Sequence, residues 1–126
     1  MFKQGIAADG IVEIRIVKNG NLNTEGPPDF RINAPGVEGY VIGRSDGSSS
    51  YEPDIDLFDH GAQESGVSRR HAVLVRYRGL VNIIDLDSVN GTFMNGKRLS
   101  PHIPYSFNPG DRLSLANLEL VVLQGD

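Results

Sequence analysis

The chain has 126 residues, 39% of them hydrophobic, and a formal net charge of −4, which suits one compact domain with one ordinary core. It has no cysteine, which excludes disulfides and thiolate metal sites, and no apolar run near the roughly 20 residues that cross a bilayer. Net acidity argues against broad nucleic-acid affinity, which rests on neutralising many phosphates, and Met1 to Gly10 lacks the basic-then-apolar order of a signal peptide. The expectation is a soluble, cytoplasmic protein with no nucleic-acid partner and no direct membrane insertion.

Residues 1–10 read as a poorly ordered N-terminal extension, and the domain is expected over 11–124. Val12, Ile14 and Ile16 then alternate with Glu13 and Arg15, the pattern of a strand with one buried face. Similar runs cover Asp29 to Asn33, Gly39 to Gly43 and Asp54 to Phe58. Between them lies a polar loop, Ser45 to Pro53, whose Ser48 to Ser50 read as solvated and flexible rather than as modification sites. Residues 46–64 carry Asp46, Glu52, Asp54, Asp56, Asp59 and Glu64 with no Lys or Arg. Residues 69–98 reverse the balance, with Arg69, Arg70, Arg76, Arg78, Lys97 and Arg98 against Asp85 and Asp87. An acidic protein can therefore carry a local positive face.

Strand runs continue at His71 to Tyr77 and Val81 to Leu86, separated by Arg78-Gly79-Leu80, which suits a tight hairpin. Asn95-Gly96 suits a two-residue hairpin turn, because that dipeptide readily takes positive φ. Pro109-Gly110-Asp111 is a turn signal, and Leu113, Leu115 and Leu118 to Leu123 supply the last strands. Helical periodicity is nearly absent. About ten short strands with frequent turn signals predict an all-β protein, a β-sandwich.

Several motifs invite a catalytic reading and fail it. Gly91 to Lys97 matches most of a nucleotide-binding P-loop, but Arg98 stands where Ser or Thr must reach magnesium, and Leu-Ser-Pro-His-Ile-Pro follows where a helix is needed. Ser68 and His71 lack a Gly-x-Ser-x-Gly elbow, so a hydrolase is disfavoured. His60, His71 and His102 are too dispersed for a metal site. The Asn90-Gly91-Thr92 sequon lacks a secretory context. No catalytic residue, metal or cofactor is expected. By contrast, Arg44, Ser68 and Asn90 each end a strand-like segment and can meet at one rim if the strands alternate direction. Together they offer a guanidinium fork, a hydroxyl and backbone amides, which a phosphate monoester requires.

Gly43-Arg44, Asp54 to Leu57, Val67-Ser68-Arg69-Arg70-His71-Ala72, Asp85 to Thr92 and Asn95-Gly96 closely resemble, in order and spacing, the pattern of the forkhead-associated (FHA) domain. The likeness runs from about Ile11 to Leu123. It implies a sandwich of two mostly antiparallel sheets with about eleven strands, whose loops at one end bind phosphothreonine peptides. Residue by residue, it implies that Arg44 holds the phosphate, Ser68 donates its hydroxyl, Arg69 contacts peptide or phosphate, and Asn90 bonds the peptide backbone. Val89 and Arg70 are further loop contributors, and Gly43, His71 and Gly91 match structural positions. Val89 departs from the pattern, standing where some members have a threonine that lines the phosphate site. The expected partner is a phosphothreonine-containing protein, such as a Ser/Thr kinase or its substrate, met in signalling or regulation. The rival reading is a phosphorylation-independent interaction or self-association module.

Overall fold

The computed structural model of the chain describes residues 5–125. Its strands are β1 (Ile11–Ile16), β2 (Phe30–Asn33), β3 (Tyr40–Gly43), β4 (Ile55–Asp56), β5 (Arg70–Tyr77), β6 (Leu80–Asp85), β7 (Thr92–Met94), β8 (Lys97–Arg98), β9 (Tyr105–Ser106), β10 (Leu113–Leu115) and β11 (Leu118–Gln124). They form a six-stranded sheet in the order β2-β1-β11-β10-β7-β8 and a five-stranded sheet in the order β4-β3-β5-β6-β9. All pairs are antiparallel except β3 with β4. No helix among the described residues is long and apolar enough to cross a membrane.

Period-two patterning drives the assembly. Val12 and Ile14 on β1, Ile42 on β3, Leu74 on β5, Ile83 on β6 and Leu120 on β11 are fully buried between the sheets, with Phe107 the largest wholly enclosed side chain. Each such side chain contributes about 1.5–3 kcal/mol. The hairpins close as their residues dictate: Arg78 and Gly79 have φ of 53° and 77°, and Asn95 and Gly96 have 49° and 84°. Lys97 and Arg98 then enter β8, so no helix follows the P-loop-like segment.

Four features depart from the sequence pattern. Residues 1–4 lie outside the described residues, but Gly5 to Gly10 pack rather than trail. Ile6 is buried in the core, its carbonyl accepts from Val81 N at 2.8 Å, and Ala8 N donates to the Gly79 carbonyl at 2.9 Å. One isolated isoleucine makes no periodic signal, which hides this strap from a pattern reading. Arg15, expected on a solvent face, is buried because the loop after β1 covers it and accepts its hydrogen bonds through the carbonyls of Asn23 (3.3 Å) and Gly26 (3.1 Å). The strand expected over Asp54 to Phe58 stops at Asp56, whose Oδ1 accepts from Phe58 N at 3.0 Å and starts a 3-10 turn over Phe58–His60. Finally, β9 lies at a sheet edge just after Pro104, a position where proline removes no needed donor.

Candidate functional site

The loops after β3, before β5 and after β6 gather at one end of the sandwich. Gly43 makes the first approach: a Cβ there would strike the backbone carbonyl of Arg69. Lacking one, β3 draws against the β4–β5 loop, and Arg44 N donates to that carbonyl at 3.2 Å. The Arg44 side chain is then fixed by Nε, which donates to the Val67 carbonyl at 2.7 Å. This bond orients the guanidinium plane and leaves the paired Nη groups to a ligand.

Ser68 follows Val67, and its amide donates to His71 Nδ1 at 3.0 Å. A nitrogen that accepts carries no proton, so His71 is protonated on Nε2, which donates to the Gly91 carbonyl at 2.8 Å. His71 is fully buried, and burial pushes its pKa down, against the opposing pull of the Gly91 carbonyl and the Asp85 charge. A neutral imidazole thus bolts the Ser68 loop to the Gly91 loop. Ser68 Oγ accepts from Val89 N at 3.2 Å, which leaves its own proton for another acceptor.

Asn90 depends on Gly66. Asn90 Nδ2 donates to the Gly66 carbonyl at 3.0 Å, and a Cβ on Gly66, where φ is +85°, would sit 2.7 Å from that nitrogen. The amide oxygen of Asn90 stays open to a ligand donor. Gly91 has φ of +88°, and a Cβ there would lie 2.8 Å from Arg98 Nε.

The β6–β7 loop has an anchor to which the sequence reading assigned no role. Buried Asp85 accepts through Oδ1 from Ser88 Oγ and Thr92 Oγ1, both at 2.6 Å, and through Oδ2 from Ser88 N at 3.3 Å. Ser88 Oγ in turn accepts from Gly91 N at 3.1 Å. These bonds close the turn that holds Val89 and Asn90 outward, with Val89 83% exposed. The hint in the sequence was an aspartate followed three and seven positions on by small hydroxyl residues. Below this loop, Ala116 N donates to the Gly91 carbonyl at 2.9 Å and Asn117 N to the Ser65 carbonyl at 3.1 Å, so the β10–β11 turn forms its floor.

Arg44, Ser68, Arg69, Arg70, Val89 and Asn90 all line one groove of about 750 Å³. Arg70 is exposed at the start of β5. Arg69 is also exposed and reaches Asp46 across the groove edge, with Nη1 3.5 Å from Oδ2. The Asp46 carboxyl is held below its usual range, first by the Ser48 hydroxyl and next by the Ser48 amide. The Val89 side chain carries no donor, and the loop meets Ser68 through the Val89 backbone amide. Three arginines around one groove give an acidic chain a local positive site.

A family profile described as FHA domain matches residues 40–116. The chain is 27% identical over 86 residues to the oxoglutarate dehydrogenase inhibitor of Corynebacterium diphtheriae, covering 68% of this chain and 56% of that protein. It is 31% identical over 113 residues to the ABC transporter ATP-binding/permease protein Rv1747 of Mycobacterium tuberculosis, covering 89% of this chain and 10% of that one. The chain therefore spans about half of one curated relative and a tenth of the other. Among solved structures, Mycobacterium tuberculosis EmbR in complex with a low-affinity phosphopeptide superimposes with a TM-score of 0.63 at 23% identity, covering 90% of this chain and 24% of EmbR. That likeness shows the fold alone.

Proposed function

Because the chain belongs to the FHA domain family, whose members are non-enzymatic phosphopeptide-binding interaction modules, we propose that it recognises phosphothreonine in a partner protein and couples that partner's phosphorylation to association. One observation carries this reading: Arg44, Ser68 and Asn90 converge on one groove, each with one polar atom spent on the scaffold and another left over. Phosphorylation adds about −1.5 to −2 charge and three strong acceptor oxygens to a partner. The Arg44 Nη pair takes two of those oxygens, and the Ser68 hydroxyl donates to a third. Asn90 bonds the peptide backbone beside the phosphothreonine, which holds an extended ligand over the loops. Arg69 and Arg70 raise the local potential, and Arg69 exchanges Asp46 for phosphate.

The partner is a phosphothreonine-containing protein, such as a Ser/Thr kinase or its substrate. Preference for threonine over serine requires the extra methyl to be buried, worth about 0.8 kcal/mol, so shape around that methyl must add the rest.

Calorimetric titration with a degenerate phosphothreonine peptide pool, against matched phosphoserine and unphosphorylated pools, tests the reading. Binding is expected with the phosphothreonine pool alone, and Arg44→Ala should abolish it by removing charge-assisted bonds of about 1.5–3 kcal/mol each. Equal binding of the unphosphorylated pool, or full retention by Arg44→Ala, would support a phosphorylation-independent module instead.

A further inference from the structure

Among the described residues, two enclosed side-chain polar atoms lack a hydrogen-bond partner: Arg15 Nε and the hydroxyl of Tyr51. The first is readily explained, since the Arg15 guanidinium bonds elsewhere through both Nη atoms. Tyr51 has no such account. Enclosed hydroxyls are nearly always paired, and phenylalanine would fill the same space without the penalty. Tyr51 lines the same groove as Arg44, Ser68 and Asn90.

Its loop is also tied to that groove by a short relay. Tyr51 N donates to Ser49 Oγ at 3.2 Å, and Ser49 N donates to Asp46 Oδ1 at 2.9 Å. Asp46 Oδ2 then meets Arg69 Nη1 at 3.5 Å. That last link is long and exposed, so a doubly charged phosphate in the groove outcompetes the carboxylate for Arg69. Once Arg69 lets go, the loop from Ser45 to Pro53 loses its tether to the β4–β5 side.

We propose that Tyr51 is a further ligand-contacting residue of this groove, whose hydroxyl, unpartnered in the free protein, donates a hydrogen bond to a phosphate oxygen of the bound phosphopeptide. The inference rests on the phosphopeptide reading. It explains why a hydroxyl is kept where the free protein gives it nothing to bond. The ligand supplies the missing acceptor, and the hydroxyl adds to the donors of Arg44 and Ser68.

Tyr51→Phe removes the hydroxyl and keeps the ring. Calorimetry with the degenerate phosphothreonine pool should show binding about tenfold weaker than wild type, while the melting temperature of the free protein stays level or rises. Unchanged affinity in Tyr51→Phe, within twofold, while Arg44→Ala loses binding would leave the phosphopeptide reading standing and overturn the role of Tyr51. Weaker binding with a lowered melting temperature would overturn it too, because the hydroxyl would then have a structural partner. A wild type that ignores phosphate would remove both.

Discussion

Of the three loops that border the groove, two are held in opposite ways. The β6–β7 loop is fastened from inside: Asp85, Ser88 and Thr92 are buried and bonded at 2.6 Å, and His71 clamps Gly91 from the other side. The β3–β4 loop is fastened from outside, by exposed Asp46 contacts and one 3.5 Å ion pair. Buried charge-assisted bonds are strong and costly to break, whereas exposed pairs are screened and weak. The difference is physical: one side of the groove is locked by buried bonds, and the other is held by exposed contacts that exchange easily.

The largest effect should come from cutting the buried anchor. Asp85→Ala strands the hydroxyls of Ser88 and Thr92 and should cost about 3–5 kcal/mol, read by urea denaturation. A loss below about 1 kcal/mol would mean that the loop is not held from within. Gly66→Ala comes next. It forces a side chain into positive φ at about 1–2 kcal/mol and pushes Asn90 off its carbonyl, so phosphopeptide affinity should fall about tenfold. Normal affinity in a folded Gly66→Ala would show that Asn90 does not need this seat.

His71 sharpens the comparison through pH. Its folded pKa lies below the unfolded value of 6.5, so under acid the unfolded chain takes the proton first. Its contribution to stability is complete above about pH 6.5 and is lost as pH falls through that value toward the folded pKa. Protonation also turns Nδ1 into a donor facing the Ser68 amide. Melting temperature should therefore drop between pH 7 and pH 5 in the wild type, with a shallower slope in His71→Gln; equal slopes would assign the drop to other groups. The smallest effect belongs to the outer loop. Asp46→Ala should leave the melting temperature unchanged and strengthen phosphopeptide binding about twofold at low salt, by freeing Arg69. Weaker binding would mean that the carboxylate positions Arg69 rather than competing for it.

Much of this protein was legible in the chain itself. Alternation at Val12 to Ile16 and at Leu113 to Leu123, and turns at Arg78-Gly79 and Asn95-Gly96, are local effects of side-chain period and backbone sterics, which act whatever surrounds them. Arg44, Ser68, Arg69 and Asn90 stood out because their order and spacing form a joint pattern. What the chain could not declare depended on neighbours distant in sequence. Ile6 is core only because β6 offers its carbonyl the Val81 amide, and Arg15 is buried only because a later loop bends over it. Gly66 matters because Asn90, far along the chain, needs the space of its missing Cβ. Local sterics and periodicity determined the strands, turns and family pattern; long-range packing alone decided which polar atoms are spent on the scaffold and which, like the Arg44 Nη pair, are left for a ligand.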